Sequence, residues 1–309
     1  MINFRYHVVS LTAVFLALAI GLVVGTAAAN GPMADSLNGQ VNNIHKQNQQ
    51  LRDQVDELND EVNKLEEAFK TAAPQMLADR LSGRRVLVVA MPSSGKYVDG
   101  VQQMLTAGGA KVTGRLQLDD KFTDPTSNDQ LLDLAISSAP PGVRGALPSR
   151  SNGVETSTAL LAAVLVGGAA VEGAKTVLSA YQSQGYLSVS GEPGPAEAVV
   201  FLAGTPYTEQ DATRRNVATT MIAERFDQAG RIVVATPAAS GEGNVVRAVR
   251  DDPDLVKTAS TVDNIATELG RIVVALALVE QFDGKVGHYG VGAGSSAPMP
   301  QLVGGRSGN

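Results

Sequence analysis

The stretch "VLVVAMP", Val86–Pro92, decides how the larger part of this chain folds. It is a continuous apolar run that ends at a proline, which is typical of a strand covered on both faces. Downstream, "YVDGVQQMLTAGGA" has a helical pattern and "KVTGRLQL" reads as a second strand. This order predicts a β-α-β unit, the repeating element of a parallel sheet.

The alternation of strands and helices continues towards the C-terminus. Helical patterns follow around 129–138, 155–165 and 171–184, and the strand candidates "AEAVVFLAG" and "RIVVATP" bracket a long helical pattern at 209–229. A further apolar run, "GRIVVALALVEQF", follows in the same series. The pattern predicts a Rossmann-like α/β domain with a mostly parallel sheet over 82–291. The segment 292–309 is too poor in apolar residues to pack, so a flexible tail is expected there.

A heptad repeat over 37–70 lies upstream of the domain. Its polar e and g positions favour a two-helix seam over a lone amphipathic helix, which would bury a wider stripe. Val at a with Leu at d predicts a parallel coiled-coil dimer, and Pro74 is expected to end the helix. At about 1.5 Å per residue the rod would be roughly 50 Å long. The predicted seam consists of Leu37, Val41, Ile44, Asn48, Leu51, Val55, Leu58, Val62, Leu65 and Phe69.

Asn48 is the one polar residue in this seam, at an a position. A buried Asn at a fixes register and strand number, at some cost in stability. The flanking g and e residues offer no attractive ion pair across a parallel pair, and the last of them, Glu61 with Glu66, is repulsive. The seam alone therefore specifies self-pairing, and a different helix with Lys or Arg at its edges could compete.

The N-terminus decides the compartment. Val8–Ala29 runs for 22 residues without a charge, and a helix needs roughly 20 to cross a bilayer. Arg5 precedes this run, and no Lys or Arg follows until Lys46. The positive-inside bias therefore predicts cytoplasmic residues 1–7, a transmembrane anchor at 8–29 and a domain in the periplasm or cell envelope. A cleaved signal peptide is the alternative, since Ala27 and Ala29 form an A-x-A-like pair; both interpretations export the domain.

Composition argues against several classes of function. The net charge of -6 and pI near 5.2 make a nucleic-acid partner improbable, and without cysteine there is neither a disulfide nor a thiolate site. The turn "AMPSSGKYV" lacks the glycine and the Ser or Thr of a phosphate loop, so Ser93 or Ser94 is expected to cap a helix.

Candidate catalytic and metal-binding side chains are also scarce. His288 is the one histidine of the domain and is expected to pack or cap a turn, because no G-x-S-x-G elbow supplies a nucleophile. The methionines and histidines do not cluster, so no metal site can be assigned and no cofactor is expected. We therefore expect a protein that is not an enzyme. An enzyme with a degenerate nucleotide-binding fold stays as an alternative hypothesis.

Four stretches together resemble the actinobacterial copper transport protein B family, also known through SteB-type septal envelope proteins. They are "FRYHVVSLTAVFLALAIGLVVGT", the heptads, "STVDNIATELGRIVVALAL" and "GKVGHYG". The resemblance implies a single-pass plasma-membrane protein with a periplasmic α/β domain, and the family name implies copper efflux and homeostasis. It also implies a coiled coil that pairs with a SteA-type membrane partner in wall remodelling and cell separation. It carries over no catalytic residue.

The two implied roles differ in what they require of the membrane segment. A copper channel must line a path through the bilayer, and one apolar helix without an internal charge lines none unless several copies assemble. A scaffold requires only an anchor, a rod and a displayed domain. We therefore interpret the chain mechanistically as a coiled-coil scaffold that presents its domain in the envelope.

Overall fold

The computed structural model describes residues 4–29, 32–148, 152–167 and 171–301. It divides into two compact units, Met1–Leu65 and Glu66–Asn309. The first unit consists of two helices, α1 (Phe4–Ala29) and the greater part of α2 (Pro32–Leu77). The second unit begins with the last turns of α2 and contains the α/β domain.

The domain alternates strands and helices, as the sequence predicted. Its strands are β1 (Arg85–Ala90), β2 (Lys111–Leu118), β3 (Leu187–Ser190), β4 (Ala198–Leu202), β5 (Arg231–Ala235), β6 (Ser260–Val262) and β7 (His288–Tyr289). Its helices are α3 (Val98–Ala107), α4 (Asp120–Thr123), α5 (Asn128–Ser138), α6 (Pro141–Arg144), α7 (Gly153–Leu165), α8 (Ala174–Ser183), α9 (Ala212–Ala229), α10 (Val245–Asp251) and α11 (Glu268–Phe282).

The described residues form a seven-stranded sheet in the order β3-β2-β1-β4-β5-β6-β7. Neighbouring strands are parallel except β3, which is antiparallel to β2. The order of the first six strands is that of a Rossmann-like sheet. The predicted α/β domain with a mostly parallel sheet is therefore confirmed.

A separate hydrophobic core covers each face of the sheet. In β1, Leu87 and Val89 contribute to one core, and Val86, Val88 and Ala90 contribute to the other. All five side chains are buried. The apolar run in "VLVVAMP" thus follows from a strand that has no solvent-facing side.

The apolar run "GRIVVALALVEQF", to which the sequence pattern gave no element type, forms helix α11. Every residue from Ile272 to Leu278 is buried, and the helix packs against α3, β5 and β6. A helix that is apolar on all sides has no periodicity to separate it from a covered strand, and only its length does so. The apolar pattern alone therefore did not assign this run to a helix or a strand.

Pro74 does not end α2, which continues to Leu77. A proline inside a helix removes a hydrogen bond and costs about 3 kcal/mol. Ala73, Leu77 and the following Leu81 are buried in the core that contains α11. Burial of a leucine contributes about 1.5–3 kcal/mol, so docking of this end on the domain offsets the cost.

The segment that follows Gly292 is attached to the domain up to Gln301. The backbone N–H of Ser296 donates to the carbonyl of His288 (2.8 Å), and that of Gly290 donates to the carbonyl of Ala297 (3.1 Å). Met299 packs against the core. The predicted tail therefore packs over residues 292–301, because backbone hydrogen bonds supply what its composition lacks. The remainder, 302–309, lies outside the described residues.

Candidate functional site

Helix α1 presents apolar side chains on all of its sides. From Phe4 to Ala27 it is long and apolar enough to cross a membrane, and it is the one such helix found in the described ranges. None of the side chains in its most apolar stretch is buried by protein. A core helix of a soluble domain would be covered by protein, so the exposure favours a lipid-facing helix.

The predicted seam on α2 is an uncovered apolar stripe from Leu37 to Leu65. Its eight apolar side chains are between 48 and 61% exposed, and Asn48 among them is exposed as well. Large exposed apolar patches on soluble proteins mark interaction sites. The coiled coil itself stays a prediction, and the structure of one chain provides the face on which it depends.

The exposed stripe on α2 ends before Phe69, the last residue of the predicted seam. Phe69, assigned to its last a position, is half-buried and packs against the same core as Ala73 and Leu77. The backbone N–H of Glu268 donates to Oε2 of Glu66, and Nη2 of Arg271 lies 3.9 Å from the same oxygen. The domain therefore uses this end of α2, and the face available to another helix stops at Leu65.

The crevice between the carboxyl ends of β1 and β4 is where a sheet of this order usually binds its ligand. Here hydrogen bonds join the two loops. Ser94 is buried, and its hydroxyl lies 2.7 Å from the carbonyl of Leu202 and 2.9 Å from that of Met91. Oγ of Ser93 accepts from the backbone N–H of Thr205 (3.0 Å). The two serines thus tie β1 to β4, and the helix cap predicted for them is wrong because neither hydroxyl bonds to the helix start.

A glycine allows this close approach. Gly204 has a φ of +75°, and a Cβ there would lie 2.1 Å from Oγ of Ser93. Any larger residue would push the two loops apart. The nucleotide position that the fold suggests is therefore occupied by the chain itself.

Two motifs of the family resemblance meet around a buried ion pair. Nη1 of Arg250 lies 2.7 Å from Oδ2 of Asp263, and their side chains are 4% and 0% exposed. The carboxylate of Asp263, from "STVD", also accepts from the backbone N–H groups of Val291 (2.8 Å) and Gly292 (3.1 Å). Nη2 of Arg250 donates to the carbonyl of Tyr289 (2.9 Å). The pair thereby holds the strand of "GKVGHYG" against β6.

His288 packs, as predicted. Its Nε2 lies 3.0 Å from the carbonyl of Val256, so this nitrogen must carry the proton, and its Nδ1 lies 2.9 Å from Oγ1 of Thr261. Burial lowers the pKa of His288, and the hydrogen bond to Val256 opposes this shift. Both ring nitrogens are engaged, which leaves neither free to bind a metal or to act as a base.

No grouping of three or more His, Asp and Glu side chains that could hold a metal ion occurs in the described part of the chain. The three histidines of the chain lie in different elements: His7 is in α1, His45 is in α2 and His288 is in β7.

A groove of about 850 Å³ opens beside the carboxyl ends of β4 and β5. Its walls are the loop after β4, the outer face of α9 and the loop after β5. Sequence reasoning missed it because three separate segments form its lining and none of them carries a motif. The lining includes Thr205, Pro206, Tyr207, Ala212, Val217, Met221, Glu224, Ala238, Ser240 and Glu242.

The chain thus combines three parts: an apolar N-terminal helix, a helix with an exposed heptad stripe and a Rossmann-like domain. A family model described as "Copper transport outer membrane protein, MctB" matches residues 1–300. The copper transporter MctB of Mycobacterium tuberculosis is 29% identical, with 96% of this chain and 98% of the relative covered. That of Mycobacterium leprae is also 29% identical, with 97% and 100% covered. The chain belongs to the MctB family, which agrees with the resemblance found in the sequence.

Proposed function

We propose that this protein is a membrane-anchored scaffold that serves copper homeostasis at the cell envelope. The family match supports the copper role, since the relatives it resembles are named copper transporters. The scaffold mechanism is carried by one observation, the exposed stripe from Leu37 to Leu65 between an apolar helix and a folded domain.

A role through assembly suits the described residues better than direct passage of copper. Helix α1 carries no charged residue from Val8 onwards, whereas residues that pass ions through a membrane are polar or charged. The described residues also supply no cluster of metal ligands. The copper role is therefore expected to act through proteins that the scaffold brings together.

Two copies pair through the stripe in a parallel coiled coil. Both chains enter the same membrane through α1 in the same orientation, so their α2 helices run in the same direction. Each buried Val or Leu contributes about 1.5–3 kcal/mol, which covers the cost of one Asn48 pair. The last predicted edge pair, Glu61 with Glu66, repels less than the sequence suggests because the Glu66 carboxylate bonds to its own domain.

The N-terminus stays in the cytoplasm and the domain lies in the periplasm or cell envelope. Reporters fused to the C-terminus test this topology: a phosphatase should be active and a cytosol-dependent fluorophore dark. The opposite pattern would overturn the orientation. Mass spectrometry of the purified protein shows whether α1 is retained as an anchor or removed as a signal peptide.

The scaffold is tested with two double variants of the full chain in a strain that lacks its own copy. The test variant places two negative charges in the stripe, through Leu51→Glu with Leu58→Glu. The control variant adds two negative charges on another face of α2, through Gln50→Glu with Asn63→Glu. We expect the stripe variant to lose crosslinked dimers and to accumulate copper, measured by mass spectrometry, while the control does neither. Normal copper in the deletion strain would refute the copper role. Normal copper with a monomeric stripe variant would refute the scaffold.

A second candidate is a SteB-type septal factor whose α2 pairs with a SteA-type membrane partner. The polar edges favour it: Gln40, Gln47 and Gln54 offer no attractive ion pair to a second copy. Co-purification from cells that express both proteins should then recover mixed pairs, and the stripe variant should leave chains of unseparated cells. Exclusive self-pairing with normal cell separation would refute it.

A further inference from the structure

We propose that the groove beside β4 and β5 binds a short segment of a partner protein that places apolar side chains next to Lys or Arg. This inference concerns the domain alone and does not depend on pairing through α2. Its basis is the shape, the apolar ridge, the charge and the rigidity of the groove.

The groove has the size and position of a binding site. Its volume of about 850 Å³ falls within the roughly 300–1,000 Å³ of known ligand pockets. It opens at the carboxyl edge of a parallel sheet, where loops commonly form binding sites. The crevice between β1 and β4, the other site at this edge, is closed by Ser93 and Ser94.

An apolar ridge on α9 borders the groove. Val217 is 58% exposed, whereas most large apolar residues of the described domain are buried. Met221 lies one turn further along the same face of α9. A second hollow of about 400 Å³ on the other flank is lined by the same two residues and by Val154. A segment that covers the ridge would bury apolar surface on both flanks, which water now contacts.

The charge of the groove selects a cationic partner. The ionisable side chains in its lining that carry charge near neutral pH are Glu224 and Glu242, and the lining contains no Lys, Arg or His. Among the described residues Glu242 is exposed and forms no ion pair, and Glu224 accepts from the amide of Gln228 (3.2 Å) and lies 3.9 Å from Nη2 of Arg225. An anionic ligand such as a nucleotide would find no counter-charge here.

Arg215, on the buried side of α9, is already engaged, whereas the exposed Arg214 lines the second hollow and not the groove. Nη2 of Arg215 lies 2.8 Å from Oδ1 of Asp120, and its guanidinium lies 3.7 Å from the ring centre of Tyr207. Arg215 is buried and does not line the groove. Arg215 therefore does not neutralise Glu224 or Glu242, and Arg225, 3.9 Å from Glu224, lies closer to Glu155 (2.6 Å).

The walls of the groove are held in place before any partner arrives. The Asn216 side chain accepts from the backbone N–H of Tyr207 (2.8 Å) and donates to its carbonyl (3.1 Å). On the opposite wall, Gly241 and Gly243 have φ values of +111° and +77° and lie against Pro206 and Asn216. A rigid groove binds a segment at a smaller cost in conformational entropy.

The test uses the full chain in lipid nanodiscs and random peptides displayed on phage. Peptides enriched on the wild type are synthesised, and their affinities are measured by fluorescence anisotropy. We expect the enriched peptides to combine apolar residues with Lys or Arg. Their affinity for Val217→Arg and for Glu242→Lys should be lower than for the wild type by about tenfold or more. The control is Val286→Arg, which changes another exposed valine that lies before β7, at the opposite edge of the sheet.

Three outcomes would overturn the proposal. The first is a selection that enriches no peptide, and the second is a set of peptides without Lys or Arg. The third is equal binding to wild type, Val217→Arg and Glu242→Lys. Thermal unfolding of each variant separates loss of binding from loss of fold, and Glu242, exposed in its loop, provides the variant least able to disturb folding.

Discussion

Helix α2 carries one heptad pattern from Leu37 to Phe69, and its two ends have opposite surroundings. From Leu37 to Leu65 the apolar side chains are exposed, whereas Ala73 and Leu77 are buried in the domain core and Phe69 is half-buried. Phe69 is the one residue of the pattern at this end, and Ala73 and Leu77 lie beyond it. A heptad pattern thus predicts an apolar face that becomes buried. It does not show whether another chain or the same chain buries that face.

The largest expected effect comes from truncating one leucine at each end of this helix. Leu77→Ala should lower the free energy of unfolding of the domain by about 2–5 kcal/mol, because it removes a fully buried side chain. Leu58→Ala should leave that quantity nearly unchanged. Denaturant titration followed by tyrosine fluorescence measures both in detergent. Equal losses would mean that the stripe packs on the domain.

Asn48→Leu addresses the exposed end. Replacing the polar a residue should tighten self-association by roughly 2 kcal/mol and broaden the strand number, because Asn no longer restricts it. Light scattering of the solubilised chain gives the mass distribution. Asn63→Leu, outside the seam, is the control. An unchanged mass and stability for Asn48→Leu would place this residue outside any seam.

Glu66→Gln tests the boundary between the two ends. Its carboxylate accepts from the first turn of α11 and lies near Arg271. Loss of the charge should cost about 0.3–1 kcal/mol of domain stability, since the group is partly exposed. Glu67→Gln, next in the chain and exposed, should cost nothing measurable. A loss shared by both variants would show that the effect is not due to this contact.

The smallest effect is a pH dependence inside the domain. Burial lowers the pKa of His288 below its ordinary value of 6.5. Near and below that value the unfolded chain binds the proton more readily than the folded chain, so stability should fall as the pH drops below about 6.5. His288→Gln should flatten this slope, and His45→Gln should not. A slope that His288→Gln leaves unchanged would contradict the assignment.

Several features were accessible from sequence because each is local. The candidate membrane helix depends on length and polarity alone, and the β-α-β unit at Val86 depends on periods of two and 3.6. The burial of Phe69 could not be predicted from the sequence, because residues distant in the chain cover that end of α2. Glu268 of α11, for example, bonds to Glu66 although the two are 202 residues apart. The same holds for Arg250 with Asp263, since nothing in either segment signals the other.

The groove shows the limit most clearly. Val217 reads as an ordinary apolar position of a helix, and only its exposure in the folded domain distinguishes it. Glu242 reads as a solvated loop residue. Their proximity arises because the parallel sheet brings the loops after β4 and β5 to one edge.

By itself the sequence determined the apolar helix, the heptad stripe, the α/β class and the family resemblance, because each is written in neighbouring residues. Only the tertiary structure decided where α2 leaves its seam, that "GRIVVALALVEQF" is a helix, and that the ligand crevice is closed while a groove opens beside it. These outcomes depend on contacts between distant segments, and the free energy of such contacts is a property of the packed core rather than of any one stretch.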